Sequence, residues 1–330
     1  LILDSDEKEI EKEIQRCLKD LQKMEDELDD YKIEPELHEP MKGKIKLHTS
    51  KQEFMQTVEK LKKHIVEGDI FQVVPSLVIS ADLNSSPLEV YRNLRKISPT
   101  PYMFYFNTEE GTLLGASPEM QFKISEKEGK KIIETRPIAG TKPRGLVNGI
   151  LDKDLDSRFE TELILDEKEI AEHTMLVDLA RNDLAKVCKT GTRFAKNLYS
   201  IEKYSFVQHL VSTIEGELKD GLNAFNAYIA LANAGTLTGA PKIKAMELIR
   251  KYEGIARGYY GGTICYITPA GEFNSAIVIR AIRIKDKKIY MQAGAGIVYD
   301  SNPEKEFEET QNKAMAGLKA VKQTGGANYD

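Results

Sequence analysis

Four short segments follow one another with little between them: YMFYFN (102–107), TLLGAS (112–117), QFKIS (121–125) and KIIETR (131–136). They carry the aromatic and branched residues that suit strands, and the gaps are too short for a crossover helix. Strands so closely spaced point to an antiparallel sheet rather than a strict βαβ alternation. The last third repeats the pattern, with YYGGTICYI (259–267), FNSAIVIRAIRI (273–284) and KIYMQAGAGIVYD (288–300) reading as strands. IFQVVPSLVIS (70–80) reads as another, with Pro75 at a bulge or edge and Gln72 alternating with apolar neighbours. YSFVQHLVSTIEGEL (204–218) reads as a strand centred on His209. A lone strand histidine is more often structural than catalytic, so His209 needs support from elsewhere.

Helical periodicity marks 6–30, 51–67, 87–97, 152–164, 166–186, 222–231, a segment from Pro241 to about 253, and a last helix opening near Pro303. Pro35 and Pro40 make 31–43 a linker, and 44–50 reads as extended. PIAGTKPRGLVNG (137–149) and NAGTLTGAPK (233–242) read as loops, the first dense in Gly, Pro and basic residues. A chain of 330 residues that is 41% hydrophobic can bury one large or two medium cores. The net charge of −5 gives no support for a nucleic-acid partner. No apolar run approaches the roughly 18 residues of a membrane span. Cys17, Cys188 and Cys265 lie far apart, which argues against a disulfide framework or structural zinc and fits a reducing cytoplasm. LILDSDEKEI lacks the features of a secretory signal. It begins without Met, in what reads as the end of a strand, so a fragment or processed chain is expected.

Two stretches carry the chemistry. In EIAEHTMLVDLARND, Glu169 and Glu172 lie one helical turn apart on one face. In PEKEFEETQNK, Glu306 and Glu309 repeat the spacing, and Lys313 follows Glu309 by four. One such pair alone is more often a solvated acidic face. Four carboxylates facing one cavity would repel prohibitively without a divalent cation, and Mg²⁺ takes carboxylate oxygens readily. Arg280, Lys313, Tyr260 and the Gly-rich backbone of 293–296 would suit a small polyanion.

The motifs GDIFQVVPS (68–76), GASPEM (115–120), RPIAGTKPRG (136–145), EIAEHTMLVDLARNDL (169–184), GTLTGAPKIKAM (235–246), YYGGTICY (259–266), IVIRAI (277–282) and QAGAGIVYDSNPEKEFEET (292–310) closely resemble the chorismate-utilising enzymes. The likeness spans roughly residues 50 to 322. It implies an α+β fold in which antiparallel sheets pack as a sandwich with helices outside, lacking part of the N-terminal region. Residues 1–45 would be a remnant of that region, 46–322 the catalytic domain and 323–330 a disordered tail.

The resemblance also implies roles. Glu172 and Glu309 match direct Mg²⁺ ligands, and Glu169 and Glu306 match carboxylates acting directly or through water. Tyr260, Arg280, Lys313 and the backbone of Gly294, Ala295 and Gly296 match substrate-anchoring positions. Gly140 and Thr141 match a substrate-contacting loop. Glu119 matches the acid that protonates the departing C4 hydroxyl of chorismate. His209 matches a histidine linked to pyruvate elimination, and Thr236 a residue near the ring. Pro101, Tyr102 and Met103 match one side of a tryptophan feedback pocket. The other side lies in an N-terminal region expected to be missing, so L-tryptophan is implied as an inhibitor only if that region is present.

Three positions divide the family's reactions. Water-using relatives carry a Lys where this chain has Gln72. Relatives that attack the ring covalently carry a Lys where it has Ala139. His209 is expected where pyruvate must leave. The chain therefore looks most like the branch whose large subunits make anthranilate from chorismate and ammonia. No glutaminase motif is visible, and Cys188 in AKVCKTG does not resemble its nucleophile, so a separate glutamine amidotransferase subunit is implied as the ammonia source. Amination to aminodeoxyisochorismate without pyruvate loss, and a non-catalytic binding fragment, are the alternatives.

Overall fold

The structure is a computed structural model and describes residues 7–29, 45–147, 150–204 and 207–325. The 31–43 linker and the end of the tail, 326–330, lie outside the described residues. Two compact units are present, residues 1–39 and 40–330. The first holds α1 (Glu7–Asp29), an amphipathic helix whose Ile14, Leu18, Leu21 and Met24 are exposed.

The second unit opens with β1 (Lys46–Leu47), α2 (Lys51–Val66), β2 (Gln72–Val73), β3 (Ser76–Asp82) and α3 (Pro87–Ile97). Ser50 starts α2 through a capping box: its Oγ accepts from Glu53 N (3.2 Å), and Glu53 Oε2 accepts from Ser50 N (2.8 Å). Next come β4 (Tyr102–Thr108), β5 (Gly111–Ser117), β6 (Met120–Lys127) and β7 (Lys130–Thr135), the closely spaced strands read from the sequence. They are followed by β8 (Ile138–Pro143), β9 (Leu146–Val147), β10 (Ile150–Leu151), α4 (Lys153–Leu165), α5 (Glu167–Ala185), β11 (Phe194–Lys203) and β12 (Val207–Glu217). The chain ends with α6 (Ala224–Leu231), α7 (Gly235–Thr238), β13 (Gly239–Ala240), α8 (Lys242–Glu253), β14 (Thr263–Ile267), β15 (Phe273–Ile277), β16 (Ala281–Lys285), β17 (Lys288–Gly294) and α9 (Pro303–Gly325).

Two large sheets result, and all their pairings are antiparallel. One runs β1-β3-β17-β16-β5-β4, and the other β11-β12-β7-β6-β15-β14 with β8 also on β12. Each has its own apolar core. The first buries Phe54, Leu61, Leu77, Leu94, Leu114 and Phe307 against α2, α3, α8 and α9. The second buries Phe122, Ile133, Leu184, Ile214 and Phe273 beneath α5 and α6, with Phe122 and Phe273 stacked at 4.5 Å. The α+β class with antiparallel sheets and helices is that expected from the sequence.

Several boundaries differ. The run 273–284 is two strands in different sheets, β15 and β16, because Ile277 and Val278 stay buried through the switch and leave no break in the apolar pattern. The chain also changes sheets at 118–119, between β5 and β6. These two crossings lie side by side: Ile277 N donates to Glu119 O (3.1 Å) and Ala116 N to Arg280 O (3.1 Å). The 137–149 segment is not simply a loop. Its first half is β8, paired with β12 with a register shift next to His209. The edge strand β11 has no counterpart in the sequence reading, since its largely exposed residues lack alternation. Within 233–242 lie the single turn α7 and β13, and Pro241 stands at the N-cap of α8 rather than inside it. The strand read at 288–300 stops at Gly294, and α9 continues to Gly325, so residues 323–325 are helical rather than tail.

Candidate active site

The two crossings place Glu119 and Arg280 on the wall of a cavity of about 550 Å³. Arg280 adopts φ +51°, an unusual conformation for a residue with a side chain. Helices α5 and α9 supply the acidic wall. Asp166 ends α4 and caps α5, its Oδ1 accepting from Glu169 N (3.2 Å). Asn302 Oδ1 accepts from Glu304 N and Lys305 N (both 3.1 Å) at the start of α9. With both helices so started, Glu169, Glu172, Glu306 and Glu309 all line the cavity.

Burial raises the carboxyls of Glu169, Glu172 and Glu306 above their usual range, and neighbouring carboxylates add to it. Glu172 Oε1 is buried with no hydrogen-bond partner. Hard oxygen donors, like charges and a buried oxygen without a hydrogen bond are what a divalent cation would relieve, so the residues fit Mg²⁺. The four are not drawn into one coordination shell. Among the described residues, the only three acidic or histidine groups with ligand atoms within 4.8 Å of one another are His64, Glu67 and Asp69, away from this cavity. Mg²⁺ keeps several waters, which suits two direct ligands with two behind them.

Opposing these charges are two lysines and Arg280. Lys313 Nζ lies 2.7 Å from Glu309 Oε1 and donates to Gly294 O (3.0 Å). Lys168 Nζ lies 3.6 Å from Glu172 Oε1. Burial alone would lower the Lys168 ammonium, but Glu172, Glu306 and Glu169 outweigh it and raise the pKa. Lys168 was not singled out in the sequence, although its place four residues before Glu172 was a usable signal.

Glu119 accepts a hydrogen bond from Thr236 Oγ1 (2.8 Å). Burial pushes its carboxyl up to about 7, with Thr236 and Lys313 pulling the other way. Near neutrality it is thus shared between acid and carboxylate forms. His209 Nδ1 lies 2.9 Å from Thr141 Oγ1 and 3.4 Å from Gly140 O. A carbonyl only accepts, so the tautomer that satisfies Gly140 O carries its proton on Nδ1 and leaves the Nε2 lone pair for another proton. Burial lowers the His209 pKa, which favours the neutral ring. The Tyr204 ring meets it edge-on at 5.6 Å.

Gln72 is 7% exposed, and its Oε1 has no partner. It lines the cavity, and a Cβ at Gly296 would lie 2.6 Å from its Nε2. Gly140 adopts φ +76°, and a Cβ there would lie 2.9 Å from Leu163 Cδ1 and 3.1 Å from Glu169 Oε2. Ala139, Gly140, Thr141, Thr236, Tyr260, Gly294 and Gly296 also line the cavity. Ala295 does not: it is fully buried and its N–H donates to Pro75 O (3.2 Å). Pro101, Tyr102 and Met103 sit at the start of β4, away from the cavity, with Tyr102 Oη donating to Asn274 Oδ1 (3.3 Å).

A half-buried brace missed in the sequence stiffens one wall of the cavity. Arg257 binds Glu253 through Nε (3.0 Å) and Nη2 (2.6 Å), and donates to Leu237 O (2.6 Å) and Val74 O (2.5 Å). Glu253 Oε1 also accepts from Ser76 N and Oγ, both 2.7 Å. The guanidinium lies 5.4 Å from the Tyr260 ring centroid, tying that residue to β3 and α8.

Known proteins resemble this chain in sequence and in fold. The anthranilate synthase component 1 of Buchnera aphidicola subsp. Pemphigus spyrothecae is 49% identical over 278 residues, covering 84% of this chain and 53% of that protein. That of Escherichia coli (strain K12) is 49% identical over 273 residues, covering 82% and 52%. The chain therefore spans about half the length of the curated relatives it matches. The crystal structure of anthranilate synthase component I from Streptococcus pneumoniae TIGR4 superposes with a TM-score of 0.79 at 35% identity, over 96% of this chain and 67% of that one. The family described as chorismate binding enzyme matches residues 1–319, and the chain belongs to that family.

Proposed function

We propose that the chain carries the anthranilate-forming site of an anthranilate synthase, converting chorismate and ammonia to anthranilate, pyruvate and water, a lyase step towards tryptophan. The observation that carries the reading is that Gln72, Ala139 and His209 all line the cavity that holds the four glutamates. Gln72 offers an acceptor where a base would be needed to activate water. Ala139 supplies no nucleophile to the ring. Neutral His209 can accept a proton through Nε2, as pyruvate loss requires.

Arg280, Lys313 and Tyr260 would bind and orient the substrate's carboxylates by charge-assisted hydrogen bonds. Glu119 would hand its proton to the C4 hydroxyl, a poor leaving group unless protonated. Mg²⁺ held by Glu172 and Glu309, with Glu169 and Glu306 behind them, would neutralise the ring carboxylate and polarise the ring system. We infer that ammonia comes from a separate glutamine amidotransferase subunit. The relatives' designation as component 1 supports a partner. Burial pushes the Cys188 thiol up to about 11, which makes it a poor glutaminase nucleophile. No helix among the described residues is long and apolar enough to cross a membrane, and the cysteines are free, which supports a cytoplasmic setting.

The test mixes the chain with chorismate, Mg²⁺ and ammonium chloride at raised pH. Anthranilate fluorescence and lactate-dehydrogenase-coupled pyruvate should rise together. Amination without pyruvate release would replace this reading with aminodeoxyisochorismate formation, and chorismate binding without either product would leave a binding fragment.

A further inference from the structure

The first half of α5 faces the main cavity, and its second half borders another. This rear cavity, about 60 Å³, is lined by Leu179, Ala180 and Asp183 of α5 and by Lys242 of α8. Its wall also includes Glu119 and Thr236, which line the main cavity as well. The hydrogen-bonded Glu119–Thr236 pair is therefore a partition with a cavity on each side.

The rear compartment has an ionic pair on an otherwise largely apolar wall. Asp183 is buried, yet its Oδ2 accepts from Lys242 Nζ (2.5 Å) and its Oδ1 from Lys186 Nζ (2.9 Å). The Lys242 side chain is 14% exposed and that of Lys186 52%, so the ionic chain leads from solvent to the cavity. A space of this size has room for a few waters, with Asp183 and Lys242 as polar partners. The rear side offers a path to Glu119 that does not cross the main cavity.

We propose that the rear cavity is the proton-entry compartment for Glu119, through which waters held by Asp183 and Lys242 reload the acid after each turnover. This rests on Glu119 being the acid of the proposed reaction. The C4–O bond breaks with its electron pair going to oxygen, which leaves as water carrying the Glu119 proton. The amine formed when ammonia adds to the ring releases one proton to solvent. One proton enters through Glu119 and one leaves from the amine, so the step closes with no net uptake. A carboxyl held near 7 by burial can both give and regain a proton at neutral pH.

Two variants test the route. Ala180→Leu fills the rear cavity, and Lys242→Met keeps the stem but removes the charge. In rapid-quench experiments with chorismate, Mg²⁺ and ammonium chloride, the first equivalent of product should form at the wild-type rate. The steady state should then be slower by about tenfold or more. An unchanged ratio of first-turnover to steady-state rate in both variants overturns the proposal, as does an equal fall in both rates. Thermal melts identify a variant that fails to fold, and the other then decides. Glu119→Gln separates the premise. Full turnover there removes the acid and the route together, whereas an inactive Glu119→Gln with unchanged ratios in the cavity variants overturns the route alone.

Discussion

The two Glu-x-x-Glu faces share a spacing but not an environment. On α5, Lys168 stands four residues before Glu172 and lies 3.6 Å from its Oε1, a buried oxygen with no hydrogen bond. On α9, Lys313 stands four residues after Glu309, touches it at 2.7 Å, and is anchored on Gly294 O. Glu306 is 7% exposed, whereas the Glu309 side chain is 52% exposed. The same i,i+3 pattern thus yields a half-satisfied carboxylate on one helix and a paired, accessible one on the other. Charge geometry around a motif, rather than the motif, decides what its oxygens are free to do.

The strongest challenge to this comparison is removal of the four charges one at a time. Glu172→Gln and Glu309→Gln are expected to lower kcat by more than about 100-fold and to weaken Mn²⁺ binding seen by calorimetry. Glu169→Gln and Glu306→Gln should cost about 10–100-fold, as outer partners do. Equal losses at all four would erase the distinction between inner and outer carboxylates.

The acid can be separated from these pairs by pH. On the proposed mechanism the proton must be present on Glu119 for catalysis, and burial pushes its carboxyl up to about 7. At constant free ammonia, kcat/KM should therefore fall about tenfold per unit above that pH. At fixed total ammonium the rising free-base fraction offsets this, giving a plateau. A flat profile at constant free ammonia would count against Glu119.

The lysines should respond unequally. Lys313→Met is expected to raise the KM for chorismate about tenfold or more, the loss of one charge-assisted hydrogen bond. Lys168→Met should leave that KM within about twofold and tighten Mn²⁺ binding, since it removes a competitor for the α5 carboxylates. The reverse pattern would exchange their roles.

The smallest effects concern packing beside each helix. Gly140→Ala, at φ +76° and against Leu163, should destabilise by about 1–3 kcal/mol. Gly317→Ala within α9 should be nearly neutral in a thermal melt. The gain in helix propensity, about 1 kcal/mol, offsets displacement of Met291 Sδ, which lies 2.7 Å from the added Cβ position.

Much of this was legible in the sequence because it is local. Strand spacing at 102–136 dictates antiparallel pairing, and 3.6-residue periodicity dictates that Glu169 and Glu172, like Glu306 and Glu309, share a face. Those constraints act over a few residues. The exchange of strands between sheets at 118–119 and 278–280 does not, because an apolar run looks alike whichever sheet buries it. The polar edge strand β11 carried no periodic signal for a similar reason: its position came from pairing with β12. Tertiary structure alone brought Glu119, Arg280, Gln72 and His209 to one cavity and set its electrostatics. The approach of Lys168 to Glu172, the Arg257–Glu253 brace and the second cavity behind Glu119 also depend on contacts across the fold. Spacing could therefore name the carboxylates, but burial and through-space charge decided which oxygens are free and where a proton can rest.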